Sequence, residues 1–346
     1  MQNWRFQDGG CSYATIEAIN GRTLDHDRKI DAQGNDPVRT AKAHQTEMSK
    51  KIRKAVITAA GHGTRLFPMT SGVRKEFLPV VDRDGRMLPL ILSHVEELVA
   101  AGIEEICIII QEQDRRFLET FFSQNLPPGH FEKLSAHARG GLMAIRDLGK
   151  RLVFQSQDEQ RGLGHAVYQV REWVGADSFL LVLGDHLFVP RGDVSCSQQL
   201  VNRFEELEMP LIALQPTPEC EISRFGTVGG SWVRDDPRGS LLEITIFKEK
   251  PSPEFASRFL AVDGLGEKAY LTVFGLYVFT PAIFAELSDA SRDTKTNGHE
   301  VQLTDALERL RQRERVLGFV LEGEKIDIGR PEDYIIGLMK YSGKCP

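Results

Sequence analysis

The chain alternates short apolar runs with amphipathic stretches over most of its length. Residues 55–60 and 106–110 are apolar runs rich in β-branched side chains, and such runs are typical of buried strands in a parallel sheet. Between them, Ile91, Val95 and Leu98 recur at helical spacing. This alternation predicts strands that are joined by helices.

The same alternation continues further along the chain. Residues 123–150 are the exception, because they are polar, lack a sustained period and include the breaker Pro127-Pro128-Gly129, so we expect an irregular excursion there. The overall order predicts an α/β fold, a doubly wound and mostly parallel Rossmann-like sheet with ligands at the carboxyl ends of its strands. Further strands are predicted at 151–155, 179–183 and 211–214, and helices near 115–122, 164–173 and 200–207.

The pattern changes in the second half of the chain. Residues 225–279 are richer in short strands, which predicts a mixed-sheet portion that carries a second substrate, and two helices, 301–313 and 332–340, close the chain. We therefore predict one domain over residues 51–346, divided into a half that binds one substrate (51–215), a half that binds the other (216–330) and a C-terminal helix (331–346).

Residues 1–50 differ from the rest. They are polar and show no sustained period, so we expect an extended or weakly ordered arm. Two interpretations stay open. Either the arm packs on the body or on a neighbouring subunit through Trp4 and Phe6, or the first 47 residues are an upstream extension and Met48 is the natural start.

Composition limits the classes of function. The chain has 346 residues, 41% hydrophobic content and a net charge of −6, and it lacks a Lys/Arg cluster long enough to follow a nucleic-acid backbone. Its five cysteines have no metal-binding spacing, and no run approaches transmembrane length. We expect a cytoplasmic protein with reduced thiols, without nucleic-acid or membrane partners, and a homo-oligomer.

The first apolar run ends in a loop that is suited to phosphate. Gly61 and Gly63 free the backbone for a turn whose N–H groups can face an anion, and Arg65 and Lys75 add positive charge. A dinucleotide-binding fingerprint would need a third glycine where Leu66 stands, and a Walker loop would need G-K-[ST]. The alternative is an ordinary glycine-rich loop with surface charges.

Two further positions carry candidate chemistry. Gln157 precedes R-G-L-G, a loop that leaves room for a flat base. The alternative interpretation is an ordinary helix N-terminus that is preceded by glycines. Asp185 ends the apolar run L-V-L-G-D, where an isolated carboxylate would be costly to bury without a partner such as Mg²⁺. A turn or a helix cap is the other interpretation of Asp185.

Several motifs together resemble a known family. G-x-G-T-R-x-x-P-x-T followed by K-E-x-L-P is similar to the signature of the sugar-1-phosphate nucleotidyltransferases, and most similar to their uridylyltransferase branch. The segments F-G-T-V, K-E-K-P, G-H-E-V-Q-L-T-D and K-I-D-I-G follow in the order of that family. The similarity covers residues 52 to about 335.

The resemblance implies a role for each matching residue. Arg65, Lys75 and Lys250 would serve catalysis, and Asp185 and Asp327 would bind Mg²⁺, although a strand-end turn also explains Asp327. The implied nucleotide-binding residues are Ala60, Gly61, Gly63, Thr64, Lys75, Glu76, Gln157, Gly162 and Gly164, and the implied sugar-binding residues are Gly226, Glu249, Lys250 and Glu300.

The implied reaction is transfer of a nucleotidyl group from UTP to glucose 1-phosphate, which gives UDP-glucose and pyrophosphate. Some residues depart from the family pattern: Ser71 replaces a lysine, Arg74 a proline and His299 an aspartate. The residue before Asp185 is a proline in the family pattern, whereas Gly184 stands here, as in the related thymidylyltransferases. The alternatives are therefore a dTTP-dependent enzyme and a nucleotide-sugar-binding regulator that has lost catalysis.

Overall fold

The computed structural model describes residues 51–126, 129–288 and 300–344, together with two short strands near the N-terminus. These strands, β1 (Trp4–Arg5) and β2 (Glu17–Ala18), pair antiparallel. The rest of the predicted arm, including Phe6, lies outside the described residues, as does His299. The predictions for the arm therefore stay predictions.

Strands and helices alternate through the first half of the described chain. The remaining strands are β3 (Lys54–Thr58), β4 (Pro79–Val81), β5 (Met87–Pro89), β6 (Glu105–Ile110), β7 (Leu152–Ser156), β8 (Phe179–Leu183), β9 (His186–Pro190), β10 (Leu211–Pro218), β11 (Thr227–Trp232), β12 (Leu241–Lys248), β13 (Ala269–Phe279), β14 (Leu317–Val320) and β15 (Gly323–Asp327). The helices are α1 (Leu90–Ala100), α2 (Arg115–Ser123), α3 (Ala136–Gly149), α4 (Leu163–Tyr168), α5 (Arg171–Val174), α6 (Cys196–Leu207), α7 (Pro253–Phe259), α8 (Leu303–Arg313) and α9 (Pro331–Tyr341).

The parallel part of the main sheet has the strand order β7-β6-β3-β8. Successive side chains of a strand point to opposite faces, so β3 contributes to two separate cores. Ala55 and Ile57 pack in the core that contains α1 and α6, whereas Val56 packs in the core that contains α4 and α8. Helices cover both faces, and the predicted doubly wound α/β class is confirmed.

The strand order reverses beside β3. The chain runs from β3 to β6 and β7, and then returns to β8 on the other side of β3. Thr58 and Leu183, the last residues of β3 and β8, pair in register. Ligands of open α/β sheets bind beyond the carboxyl ends of the strands at such a reversal, so this crevice is the expected position of a site.

The second half of the chain extends the same sheet with mixed pairing. The long strand β13 is buried throughout and pairs antiparallel with β8 and β11 along one edge and with β10 along the other. A ring of pairings, β10-β14-β12-β11-β13, completes this mixed part. The predicted mixed-sheet portion is therefore present. The division at residue 215 stays a prediction, and β10 crosses it.

Two local predictions were wrong. Residues 123–150 contain helix α3, whose N-terminus is capped by Ser135 accepting a hydrogen bond from Ala138 N. None of its side chains is fully buried, and glycine at three of its positions weakens the helix propensity of the sequence. The helix predicted over 164–173 is interrupted, because α4 ends at Tyr168 and α5 begins at Arg171.

Two further observations concern membrane-spanning helices and the cysteines. Within residues 51–126, 129–288 and 300–344, no helix combines the length and the apolarity needed to span a bilayer. The cysteines of the same part of the chain, Cys107 and Cys196 in the cores and the exposed Cys220, carry thiols.

Candidate functional site

A cavity of about 520 Å³ opens at the carboxyl ends of β3 and β8, where the strand order reverses. Arg65, Lys75 and Asp185 share this cavity. Of the residues predicted for the site, those that line it are Ala60, Gly61, Gly63, Thr64, Arg65, Lys75, Gln157, Gly162, Asp185, Gly226, Glu249, Lys250, Glu300 and Asp327.

The loop after β3 forms one wall of the cavity. Gly63 has φ +65°, a left-handed conformation that favours glycine, and its carbonyl accepts a 2.9 Å hydrogen bond from Thr70 Oγ1. A Cβ at Gly61 would lie 3.2 Å from Lys75 Nζ, so glycine leaves room for the ammonium group against the loop. Backbone N–H groups and a cation therefore face the same space, as the sequence predicts for a phosphate site.

Lys75 connects this loop to the end of β8. Its Nζ donates a 2.7 Å hydrogen bond to Asp185 Oδ2 and lies 3.8 Å from Glu76 Oε1. Burial alone would lower the pKa of Lys75, but the charge and the hydrogen bond of Asp185 outweigh burial and the pKa is raised. Lys75 is thus a permanent positive charge at neutral pH.

The carboxylate of Asp185 has a hydrogen-bond partner at each of its two oxygens. Besides Lys75, the Nδ1 atom of His186 lies 2.9 Å from Asp185 Oδ1. Burial would raise the pKa of Asp185, but Lys75 and His186 hold it well below its usual range. The carboxylate is therefore ionised, as a metal ligand or a partner for cations must be.

Asp327 reaches the same place from the end of the chain. The antiparallel ladder of β15 with β9 sets Asp327 opposite His186, and Ile328 N donates a 3.1 Å hydrogen bond to Asp185 O. Arg65 binds Asp327 with both terminal nitrogens, Nη1 to Oδ2 at 2.8 Å and Nη2 to Oδ1 at 3.1 Å. Burial would raise the pKa of Asp327, but His186 and Arg65 outweigh burial and the pKa is lowered.

This pair of carboxylates fits one small divalent cation. Asp185 and Asp327 are ionised, lie on neighbouring strand ends and interact electrostatically. The described residues contain no group of three or more His, Cys, Asp or Glu side chains that could hold a metal. Two carboxylates without a third protein ligand suit Mg²⁺, which usually takes one or two carboxylates and completes its shell with phosphate and water oxygens.

Gln157 lies on the opposite wall from Lys75. Its side chain is buried, and Nε2 donates a 3.1 Å hydrogen bond to Gly162 O. Gly162 has φ +96°, and a Cβ there would come within 2.8 Å of Val301 O. The turn therefore requires glycine, both for its backbone conformation and for the close approach of residues 300–301.

Two residues predicted to bind nucleotide lie away from the cavity wall. Glu76 is buried behind Lys75, and its carboxylate oxygens have no hydrogen-bond partner among the described residues. Gly164 packs α4 against the segment before α8, because its N–H donates to Val301 O at 2.8 Å and a Cβ would lie 2.8 Å from the same oxygen. Both residues support the cavity from behind.

The sugar side of the cavity is built around Glu249. Thr304 Oγ1 donates a 2.7 Å hydrogen bond to Glu249 Oε2, and a Cβ at Gly226 would lie 3.2 Å from that same carboxylate oxygen. Lys250 follows with φ +44° and a largely exposed side chain, whose Nζ lies 3.8 Å from Glu249 Oε1. The acid is fixed in place, whereas the neighbouring lysine is free to reach into the cavity from its rim.

Sequence reasoning missed several residues of the cavity wall: His186, Arg224, Tyr277, Thr304 and Lys325. Lys325 stands two residues before Asp327, and residues at this spacing share one face of a strand, so the motif K-I-D contained a usable signal. Burial lowers the pKa of Lys325 to about 7.

Comparison of the sequence with known proteins identifies a family. A sequence profile of the family described as nucleotidyl transferase matches residues 54–343. The chain is 33% identical over 298 residues to a UTP–glucose-1-phosphate uridylyltransferase of Staphylococcus epidermidis, with 86% of this chain and 94% of the relative covered. It is 32% identical over 297 residues to the enzyme of that name from Bacillus subtilis, with 85% and 92% covered.

Solved structures give a parallel result. A crystal structure of UDP-glucose pyrophosphorylase complexed with UDP-glucose superimposes with a TM-score of 0.67 at 28% identity, and the match covers 85% of this chain and all of that one. The apo form of a UDP-glucose pyrophosphorylase gives a TM-score of 0.69 at 29% identity, covering 85% of this chain and 99% of that one.

Proposed function

Because the chain belongs to the nucleotidyl transferase family, we propose that it is a UTP–glucose-1-phosphate uridylyltransferase, which converts UTP and glucose 1-phosphate to UDP-glucose and pyrophosphate. The observation that carries this proposal is one cavity that is lined by Arg65, Lys75, Asp185, Asp327 and Glu249. The first four residues suit a triphosphate with its metal, and Glu249 suits the hydroxyls of a hexose.

The reaction is a displacement at phosphorus. A phosphate oxygen of glucose 1-phosphate forms a bond to the α-phosphorus of UTP, the bond from that phosphorus to the α,β-bridging oxygen breaks, and pyrophosphate leaves with the electron pair. The protein contributes little covalent chemistry to such a step. Its contribution is to align the two phosphates and to neutralise their charge.

Arg65 and Lys75 are the groups that face the triphosphate. Lys75 keeps its proton at neutral pH because the ionised Asp185 stabilises its positive charge. Arg65 has the planar guanidinium that binds two phosphate oxygens at once, and it now uses this geometry on Asp327. Both side chains can exchange a carboxylate for a phosphate without leaving the cavity.

Asp185 and Asp327 would hold Mg²⁺. When bound, the ion supplies charge neutralisation at the α-phosphate and between the phosphates of the leaving group. The residues themselves are prepared for this role, because the pKa of each carboxylate lies below its ordinary value and both remain ionised.

The sugar is held by groups on the far wall. Glu249, fixed by Thr304, accepts hydrogen bonds from glucose hydroxyls, and the backbone at Gly226 lies close enough to contact the ring because no side chain intervenes. Lys250 reaches from the rim and binds the phosphate of glucose 1-phosphate as a point charge. Gln157 presents its amide to the uracil edge, while the glycines of the same loop leave room for the base.

Pyrophosphate release tests the proposal directly. The purified chain is mixed with glucose 1-phosphate, Mg²⁺ and each of UTP, dTTP, ATP and GTP, and pyrophosphate is measured by an enzyme-coupled assay. We expect kcat/KM to be highest with UTP. A preference for dTTP would favour the thymidylyltransferase alternative, and no release with any triphosphate, despite binding of UDP-glucose, would favour a regulator.

Two further attributes belong to the same proposal. We expect a homo-oligomer, which light scattering after size-exclusion chromatography measures, and a cytoplasmic location, which fractionation of the source cells measures. A monomeric mass at the concentration of the activity assay would contradict the first expectation.

A further inference from the structure

Lys325 is a charged residue of the cavity that has no role in the reaction described above. It lies on β15, two residues before Asp327, and only 5% of the residue is exposed. It lines the cavity together with Gly226 and Glu249, on the sugar side. A lysine that is so deeply buried is uncommon unless an opposite charge accompanies it.

No described carboxylate contacts Lys325 directly, although Asp327, Glu221 and Glu249 act on its charge from a greater distance. Its Nζ donates a hydrogen bond to Val273 O and lies 3.8 Å from the centre of the Phe225 ring. Among the residues that the structure describes, no carboxylate oxygen lies within 4.0 Å of that nitrogen. Arg224, which lies 5.1 Å from the same ring, differs because it is paired with Asp333.

A carbonyl dipole and an aromatic ring offset only part of the cost of burying an ammonium group. Removing a charge from water is costly unless a counter-charge compensates for it, and a buried lysine that faces a cavity can obtain that charge from a ligand. We propose that Lys325 is a further substrate-binding residue that binds a negatively charged group of the sugar substrate. This inference rests on the proposed function.

Lys325 lines the cavity together with both Asp327 and Gly226, and its hydrogen bond to Val273 favours the sugar as its partner. Val273, which accepts its hydrogen bond, also donates from its own N–H to Gly226 O at 2.9 Å. Lys325 is thereby held beside the glycine at which the ring of the sugar meets the backbone. Arg65 and Lys75, in contrast, approach from the glycine loop after β3.

Two groups of a sugar substrate carry negative charge. One is the 1-phosphate, which every substrate of the reaction shares, and the other is an acidic substituent of the ring, as in a hexuronic acid 1-phosphate. Glucose 1-phosphate carries only the first group, and glucuronic acid 1-phosphate carries both. Comparison of these two substrates therefore separates the two sources of the anion.

The experiment uses two variants of Lys325 and one matched control. Lys325→Met keeps the length and the packing on Phe225 but removes the charge, whereas Lys325→Arg keeps the charge. Lys54→Met is the control, because Lys54 also donates to backbone carbonyls and lies over an aromatic ring, at 5.3 Å from Trp173. Unlike Lys325, it is paired with a carboxylate, Asp177 at 2.8 Å, and it lies at the start of β3, away from the cavity.

We expect Lys325→Met to raise the KM of the sugar substrate by about 10-fold to 100-fold with a smaller change in kcat, since the contact is made before and during the reaction. An equal increase for both substrates would identify the 1-phosphate as the partner. A larger increase for glucuronic acid 1-phosphate would identify an acidic ring substituent. Lys325→Arg should recover most of the loss, and Lys54→Met should change neither KM.

The proposal is overturned if both KM values of Lys325→Met stay within about twofold of the wild-type values while thermal stability falls. Lys325 would then only stabilise the packing of β15 against β13. Calorimetric titration with UDP-glucose and with UDP-glucuronic acid provides a readout that does not require turnover. If the wild-type chain released no pyrophosphate, the proposed function would fail, whereas the titration would still decide whether Lys325 binds the anion.

Discussion

Lys75 and Asp185 are 110 positions apart in the chain, and their side chains are joined by a hydrogen bond of 2.7 Å. Arg65 and Asp327 form a second such pair across the same cavity. Each cation that the proposed reaction assigns to the triphosphate is therefore paired with a carboxylate that it assigns to the metal. Within these two pairs the charges balance, and a bound triphosphate with its metal would offer each of the four side chains a new partner of opposite charge.

Replacing Lys75 tests the charge on the triphosphate. Lys75→Ala should lower kcat by about 10²-fold to 10³-fold, as the loss of a preorganised charge at a reacting phosphate does, while the KM for UTP rises much less. Steady-state kinetics at saturating Mg²⁺ measures both quantities. An unchanged kcat would remove Lys75 from the chemistry, and a melting curve establishes that the variant is folded.

The two aspartates test the metal. Asp185→Asn and Asp327→Asn each remove one negative charge while keeping the shape of the side chain. We expect the Mg²⁺ concentration for half-maximal activity to rise about tenfold or more, which corresponds to about 1.4 kcal/mol of binding free energy.

Chelation and a second metal complete this test. Excess EDTA should abolish wild-type turnover, and added Mg²⁺ should restore it. Electron paramagnetic resonance of Mn²⁺ measures binding without turnover, and equal Mn²⁺ affinity in the variants and the wild type would argue against these two ligands.

Glu76 predicts a dependence of stability on pH. Burial raises its pKa from 4.5 to about 8, so the folded protein keeps a proton that the unfolded chain loses. The stabilisation from this proton is complete below about pH 4.5 and is lost as the pH rises through about 8. The free energy of unfolding falls by at most about 5 kcal/mol over this range.

The matched variant is Glu76→Gln, which cannot ionise. Relative to this variant, the wild type should lose free energy of unfolding between about pH 5 and about pH 8, as measured by urea denaturation at several pH values. Parallel pH profiles for the two proteins would show that Glu76 does not titrate in this range.

Gly184 is fixed by close packing at the reversal of strand order. Its N–H donates a 3.1 Å hydrogen bond to Thr58 O, and a Cβ would lie 2.4 Å from that oxygen. Gly184→Ala should therefore reduce the free energy of unfolding by about 1–3 kcal/mol and lower kcat by displacing Asp185.

Gly192 provides the control for this substitution. A Cβ at Gly192 would meet no atom within 4 Å, so Gly192→Ala should leave both the free energy of unfolding and kcat close to the wild-type values. Equal effects of the two alanines would mean that the contact with Thr58 does not determine the conformation at Asp185.

The sequence alone determined the elements whose pattern is strong and local. The buried strands β3, β6 and β8 are continuous apolar runs, and α1 shows a clear apolar period. The glycines and cations of the first loop and the order of the motifs sufficed to indicate a nucleotidyltransferase. Helix α3 was missed because glycine at three of its positions weakens the helix propensity, and its apolar side chains, including Ile145 and Leu148, are only partly buried.

Only the tertiary structure decided which side chains meet. The β9–β15 ladder brings Asp327 to Asp185, and Glu76 lies behind Lys75 although the two are neighbours in sequence. The burial of Lys325 in the cavity wall, without a described carboxylate in contact with it, is likewise a result of tertiary packing. Local patterns record the preferences of single elements, whereas contacts between distant segments depend on how the elements pack, and the chain order does not encode those distances.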